Sequence, residues 1–442
     1  LVSERGIGGF AVLHHRNFRL YLIGQGVSQT GTWMQTVAMG WLVLKLTGSG
    51  GMLGLVTAAQ FVPTLLLGAF AGAVADRRSR WHILQTTQIL AGLLATFLGV
   101  MIVTDTIRVW SLFALAIAFG TVNAFDTPVR SSFVYEMVGP DDITGAVGLG
   151  STTNNVSRIF GPAISGTLIA LIGLSTPFFV NGVSYLAATV ALLMMRRAEF
   201  VPKVPVVKSP GQVREGVRVV WADPRLRTPI LMTVVIGALA YENQIALPLF
   251  AKYVFGGSAG SYGLLSSAMG VGSVIGGLLI ARFGRASHRR MGIAALFLGA
   301  SMLIASAMPT IELMVIALVV VGAGSVAFIT MGSATLQMNA PVDVRGRVMA
   351  LYVTAIIGTT PIGGPIIGWI GQQFGARATF VAGGMACILT ALVAWRSLAR
   401  VTEPVLSDAE DAAIEKRAVI AAEDAVSDKS SSMPRHISTQ EP

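Results

Sequence analysis

Long runs without a single charge alternate with short basic connections along this chain. Leu46–Ala75, Ile159–Met195, Tyr253–Ala281, Leu313–Val342 and Val348–Ala376 contain no Asp, Glu, Lys or Arg. About 20 apolar residues cross the hydrocarbon core of a bilayer as a helix. The pattern predicts twelve such spans: Phe18–Leu46, Met52–Ala75, Trp81–Thr104, Val109–Thr127, Ala146–Ile172, Thr176–Met195, Thr228–Lys252, Tyr262–Ala281, Met291–Met308, Ile311–Met338, Val348–Gly371 and Ala378–Ser397. Helices are expected because hydrocarbon cannot satisfy free backbone groups. A barrel would need strands of about ten alternating residues, and the sequence has none of that pattern.

The basic residues set the orientation. With both termini placed in the cytoplasm, 23 Lys and Arg fall in the inside connections and four, Lys45, Arg108, Lys252 and Arg377, fall outside. Cytoplasmic loops carry such an excess, so the spans are expected in a bacterial inner membrane with both termini in the cytoplasm. Away from the span ends, Arg158 is the one basic residue within a span. Leu1–Gly26 lacks a short apolar core ending in small residues, so no removable signal peptide is expected there.

Composition supports this reading. The 442 residues are 53% hydrophobic and 12% charged, with a mean hydropathy of +0.69; soluble domains carry about 25% charge. The net charge of +10 sits between apolar spans, which favours anionic membrane lipid over nucleic acid as its partner. A single cysteine, Cys387, excludes a disulfide framework and a cysteine metal cluster. No Ser-His-Asp or histidine-metal constellation is visible. The expectation is therefore a non-enzyme without cofactor or metal, acting as a monomer.

The longest connection divides the spans six and six. The expected organisation is a cytoplasmic segment 1–17, a six-helix lobe 18–197, a linker 198–227, a second six-helix lobe 228–399 and a largely disordered cytoplasmic tail 400–442. Within the linker, Val213, Val217, Val220 and Trp221 form an apolar stripe opposite Arg214 and Arg218, as in a helix lying on the inner leaflet. Val401–Pro442 holds nine acids and four bases, a helix over Asp408–Val426 being the one regular element expected there. The halves echo one another: Gly72-Ala-Val-Ala-Asp76-Arg77-Arg78-Ser79-Arg80 recurs weakly as Gly277-Leu-Leu-Ile-Ala281-Arg282-Phe283-Gly284-Arg285, and Gly161-Pro162 recurs as Gly364-Pro365. The offsets, 205 and 203 residues, indicate two parallel repeats.

Gly72-x-x-x-Asp76-Arg77-x-x-Arg80 between the second and third spans resembles the signature loop of the major facilitator superfamily, with Ser79 in place of the usual glycine and Trp81 in place of a base. The resemblance covers nearly all of Phe18–Arg400. Gly31-Thr-Trp33-Met-Gln35, Trp41-Leu-Val-Leu, Leu46-Thr-Gly-Ser49, Phe125-Asp126-Thr-Pro128-Val-Arg130 and Arg158-Ile-Phe-Gly161-Pro162 resemble, more narrowly, the branch of the bacterial enterobactin exporter and related drug-efflux permeases. It implies an all-α integral membrane fold of twelve helices in two parallel six-helix repeats. It also implies proton-coupled export, and a gate in which Gly72, Asp76, Arg77 and Arg80 close the cytoplasmic side against the start of the eleventh span, with Arg345 and Arg347 as partners. Topology and lipid contact are the plainer account of the same arginines. Gly161-Pro162-x-x-x-Gly166 resembles the fifth-span antiporter motif, although Ser157 and Ser165 stand where fuller versions have glycine; small-residue packing accounts for it equally well.

Individual residues refine the picture. Glu242 lies about 21 Å along its helix from Thr228, at 1.5 Å per residue. An acid at that depth is costly and is a candidate for proton or substrate work; the alternative is a structural acid near the outer mouth. It stands in Tyr241-Glu242-Asn243-Gln244, a polar run before Pro248 where the helix is expected to break. Arg158 either binds an anionic group or makes a fixed bond to backbone, Asn154 or Asn155. Asp126 either pairs with Arg130 four residues on or relays protons, and Pro128 between them is expected to end the regular helix. Gln25, Gln29, Trp33 and Thr36 share one face of the first span. With Phe119, Asn123, Arg158, Tyr241, Asn243, Gln244, Ser325 and Phe328 they are candidates for a substrate cavity, and amide bonding between helices is the equal alternative.

The expected function is a secondary transporter working by alternating access. Its substrate is expected to be a hydrophobic or amphipathic small molecule, a drug or siderophore-like metabolite, exchanged for protons. A lipid or lysophospholipid flippase on the same fold and a non-transporting sensor are the alternatives.

Overall fold

In a computed structural model, which describes residues 11–201, 212–283, 286–342 and 344–399, the regular elements are all helices. In chain order they are α1 (Arg16–Thr47), α2 (Gly50–Arg77), α3 (Arg80–Val103), α4 (Val109–Leu171), α5 (Thr176–Leu193), α6 (Gln212–Ala222), α7 (Pro224–Ala240), α8 (Asn243–Leu249), α9 (Ala259–Phe283), α10 (His288–Ser306), α11 (Ile311–Asn339), α12 (Arg345–Ile357), α13 (Thr360–Phe374) and α14 (Ala376–Ala399). Short 3-10 turns at Ala11–His14 and Arg197–Glu199 and a π turn at Phe250–Val254 join them. Among the described residues, ten helical stretches are long and apolar enough to cross a membrane. One is the 63-residue α4, and α1 is long enough but more polar. Reading α4 as two passes and including α1 is consistent with twelve spans.

The turn between the fourth and fifth passes departs from expectation. Pro128 does not end the helix: α4 runs through it and folds back at Gly139, whose φ of 74° is open to glycine at little cost. Pro140 follows, where a missing N–H suits a helix start. The fourth pass is therefore longer than Val109–Thr127, and the fifth begins before Ala146.

Two passes of the second half are interrupted. The seventh breaks at Tyr241–Glu242 between α7 and α8, and the eleventh at Gly358–Thr359 between α12 and α13. The amphipathic α6 does not face lipid alone. Val220 is 4% exposed and packs with Leu226, Leu336, Val348 and Tyr352, whereas Trp221 is 54% exposed. Arg347 pairs with Glu215 of α6 at 2.5 Å. The side chains of Val213 and Arg214, and the segment 408–426, lie outside the described residues.

The halves meet through small residues. A Cβ on Gly54 of α2 would lie 2.3 Å from the Gly364 carbonyl oxygen of α13, and one on Gly368 would lie 2.4 Å from that of Gly50. On the other side of the molecule a Cβ on Gly263 of α9 would lie 2.4 Å from the Pro162 carbonyl oxygen, and Ser267 Oγ donates to the Ile159 carbonyl at 2.6 Å. Close backbone approach of this kind gives helices dispersion contact that lipid cannot match. Both contacts lie toward the end bearing Gly48, Gly256 and Gly375, here the far end. There Lys252 Nζ donates to the Leu44 carbonyl (2.8 Å), Tyr253 donates to that of Gly48 (2.7 Å), and Gln372 Oε1 accepts from Gly51 N (3.0 Å) and from Ser49 Oγ. Toward the opposite, linker end, α2 leaves α12: Leu66 and Phe70 are 71% and 61% exposed, and a Cβ on Gly72, Gly148 or Gly346 would meet nothing within 4 Å.

Candidate functional site

The polar residues that the sequence scatters through apolar helices collect in two places. The first is inside the amino-terminal half. Asp126 of α4, 4% exposed, pairs with Arg130 one turn on and accepts from Thr87 Oγ1 (2.8 Å) and Gln88 Nε2 (3.0 Å) of α3. Gln88 accepts from Ser28 Oγ of α1 at 3.2 Å, and Arg130 donates to the Gln25 side-chain carbonyl. Every member has a partner, which is what burial of a charge pair in a low-dielectric interior demands. Further along α1, Thr32 shares a hydrogen bond with Tyr185 (3.1 Å), and Asn181 donates to Gln35 (2.7 Å). Thr32, Thr36, Gln60, Asn123 and Tyr185 border an internal cavity of about 30 Å³, about the size of one water.

The second place is the seam between the halves. Glu242 caps the start of α8 with φ −80° and ψ 44°, and its carboxylate turns toward α13, where a Cβ on Gly364 would lie 3.8 Å from Oε2. Thr360, at the start of α13, is its polar neighbour. Glu242 is 4% exposed, and among the described residues its buried Oε1 has no hydrogen-bond partner. The Oδ1 of the adjacent Asn243 is likewise unpartnered, while its amide donates to the Tyr241 carbonyl (3.4 Å). An acid flanked by two helix breaks and the N-terminus of α13 sits where backbone N–H groups favour negative charge. Nevertheless one of its oxygens has no donor.

On the other side of the Tyr241 break, Arg158 projects from the fifth pass. Its guanidinium lies over the Trp33 ring, 5.5 Å from the centroid, and Tyr241 is its electrostatic neighbour. Among the described residues it has neither an ion pair nor a hydrogen bond, so the expected tie to Asn154, Asn155 or backbone is not made; nor does it pair directly with Glu242. Tyr241 donates to the Ser325 carbonyl of α11 at 2.7 Å. The structure thus brings Trp33, Arg158, Tyr241 and Ser325 together across the seam.

The other expected cavity residues divide by burial. Gln29, Thr36, Asn123, Asn243 and Gln244 are half-buried. Phe119, buried against Ala91, Ala95 and Tyr185, lines the small cavity beside Thr36 and Asn123, whereas Gln25, Ser325 and Phe328 are buried inside helix packing, Gln25 serving Arg130 and Phe328 being 0% exposed. Helical spacing placed them on a common face but did not distinguish a face toward a cavity from one toward a neighbouring helix. Gly161 packs against α1, where a Cβ would lie 2.6 Å from that of Trp33, and Gly166 packs against Gly260.

In the loop motif, Arg77 is exposed and Arg80 pairs with Glu136 of α4 at 2.9 Å while donating to the Ser132 carbonyl (3.3 Å). Arg345 is exposed and Arg347 is engaged by Glu215. The Asp76 side chain lies outside the described residues. Sequence reasoning missed Thr87, Gln88, Glu136 and Thr360. Glu136 carried a signal, as an acid within a helix-compatible stretch, whereas the neutral residues carried none.

Comparison with known proteins fits this geometry. The chain is 27% identical over 394 residues to the multidrug efflux pump Tap of Mycobacterium tuberculosis (strain ATCC 25618 / H37Rv), covering 85% of this chain and 92% of Tap. It is 24% identical over 373 residues to the staphyloferrin A transporter of Staphylococcus aureus (strain NCTC 8325 / PS 47), covering 82% and 91%. The fold is shared with the POT family transporter PepTSo, at a TM-score of 0.72 and 11% identity over 87% of this chain and 98% of that one. It is also shared with a bacterial homolog of the human lysosomal transporter Spinster, at a TM-score of 0.67 and 16% identity over 87% and 96%. The family model of transmembrane secretion effectors matches residues 7–424, so the chain belongs to that family of major facilitator superfamily transporters and not to a family of enzymes.

Proposed function

We propose that the protein is a proton-coupled exporter of a hydrophobic or amphipathic small molecule, working by alternating access in a bacterial inner membrane with both termini in the cytoplasm. The observation that carries this reading is the asymmetry of the seam. The halves are tied at the far end by Lys252, Tyr253 and Gln372, and part toward the linker end. A pathway open on one side only is what alternating access requires of each end state. The basic linker and loops support a cytoplasmic open end. Trp33, Arg158 and Tyr241 are the proposed substrate contacts, an aromatic and cationic set suited to an amphipathic solute.

Glu242 is the proposed proton carrier. Asp126 already has three partners, whereas Glu242 is buried at the seam with an oxygen that lacks one; a proton is the smallest group that completes it. The names of the Tap and staphyloferrin A relatives support the substrate class. The experiment is uptake of a panel of drugs and siderophores into inverted vesicles, with and without a pH gradient. Gradient-dependent uptake by the wild type and its loss in Glu242→Gln support the proposal; uptake that survives collapse of the gradient by an ionophore removes proton coupling. Lipid translocation is a second reading, favoured by the apolar opening between α2 and α12, and fluorescent-lipid flipping in the same vesicles distinguishes it.

A further inference from the structure

Below the seam, where α2 and α12 part, a groove of about 320 Å³ runs along the side of the molecule. Leu231 and Val234 of α7 and Leu351 of α12 form its walls, and Leu65 of α2 closes its inner end. That end abuts the break in the eleventh pass: a Cβ on Gly358 would lie 3.0 Å from Leu65 Cδ1. Trp221 and Arg227 stand at the opposite end. From Arg227 to Val234 the trough rises about 10 Å at 1.5 Å per residue, from the membrane surface into hydrocarbon.

Arg227 makes this more than an apolar crevice. It is half-buried, its guanidinium donates to the Trp221 carbonyl at 3.5 Å, and among the described residues it has no acid partner. The neighbouring acids are engaged elsewhere: Asp223 accepts from Arg225 N at 2.8 Å at the start of α7, and Glu215 holds Arg347. Arg218 and Arg225 are exposed and do not line the groove. Trp221 presents an exposed indole at the same level, a side chain at home in the headgroup region.

A cation and an indole at the surface end of an apolar trough complement an amphiphile with an anionic head and a long chain. The bilayer supplies one at high concentration. We propose that this groove binds an anionic phospholipid from the linker-side leaflet, its phosphate on Arg227 and one acyl chain lying along Leu231, Val234 and Leu351 toward Leu65. A chain in this position fills space that α2 would need in order to close on α12, so the bound lipid favours the conformation described above. The site does not depend on what the protein carries.

The test uses the full-length protein reconstituted with phosphatidylglycerol and phosphatidylethanolamine, and native mass spectrometry of the lipids it retains. Wild-type protein should prefer phosphatidylglycerol. Arg227→Gln should lower that preference roughly fivefold, the effect of about one arginine near an anionic surface. Leu351→Trp, which fills the trough, should lower the lipid retained, and Arg225→Gln, outside it, should change neither. Unaltered preference in Arg227→Gln, an equal loss in Arg225→Gln, or full retention in Leu351→Trp would overturn the site. A second arm needs no variant: phosphatidylglycerol with a photoactivatable chain should label peptides containing Leu231, Val234 and Leu351. Labelling spread evenly over the apolar exterior would mean ordinary annular lipid and would sink the proposal.

Discussion

Lys252 crosses from the second half of the molecule to the first, its ammonium 2.8 Å from the backbone carbonyl of Leu44. Tyr253, the next residue, does the same with Gly48. Both bonds end on carbonyls near the C-terminus of α1, where the helix dipole favours a cation; that of Leu44 also accepts from Gly48 N at 3.0 Å. Removing them should loosen the far end. Lys252→Met with Tyr253→Phe should shift the equilibrium between end states by about 1–2 kcal/mol, on the scale of net hydrogen-bond contributions. Distances between spin labels on the two halves, near Gly51 and Gln372, should broaden toward longer values.

The glycine seam sets a steric condition. A side chain at Gly54 has only 2.3 Å before it meets the carbonyl oxygen of Gly364, so Gly54→Val should prevent close contact between α2 and α13. We expect transport to fall at least tenfold, with normal amounts of folded protein, since α2 retains its own helix and its packing on α4. Gly72→Val, where nothing lies within 4 Å, should be tolerated in this conformation. Vesicle transport normalised to expression compares the two.

Asp126 and Arg130 should behave as one unit. Losing either partner leaves a buried charge uncompensated, a loss of about 3–5 kcal/mol in soluble proteins. Asp126→Ala and Arg130→Ala should each lower the melting temperature in detergent markedly, and the double variant should lose less than the sum of the two. A double-mutant cycle measures the coupling. Additive losses would show that Gln25, Thr87 and Gln88 suffice to hold each charge alone.

Arg158 should act through its charge and its cation–π contact with Trp33. Trp33→Ala removes the aromatic face, worth about 0.5–2 kcal/mol for a cation–π pair, and Arg158→Lys keeps the charge while losing the planar guanidinium. Both should weaken substrate binding several-fold with little change in melting temperature, as read by ligand-induced quenching of tryptophan fluorescence or by direct binding. A large loss of stability instead would assign the pair to packing.

The spans were legible because charge is nearly forbidden in hydrocarbon, and its absence marks each pass independently of its neighbours. Turns inside that apolar background were less so. Pro128 looked like the end of a helix, yet a membrane helix tolerates proline when surrounding helices support it, and the chain turned at Gly139, whose φ of 74° no composition rule announces. Glu242 stood out as an acid in an apolar run, whereas Thr360, its neighbour from 118 positions later in the chain, did not. The same holds for Val220. Its place on an amphipathic stripe was clear, but whether lipid or α12 would cover that stripe depended on the tertiary fold.

The two broken passes both belong to the carboxy-terminal half, at Tyr241–Glu242 and at Gly358–Thr359. In the amino-terminal half, the departure from helix within a long element is Gly139, at the edge of the bundle. Bending stiffness is therefore divided unequally. One half holds interruptions of its hydrogen-bonded ladder at mid-depth, whereas the long helices of the other run unbroken there. A substitution beside either interruption is thus felt as a change in how readily that pass flexes.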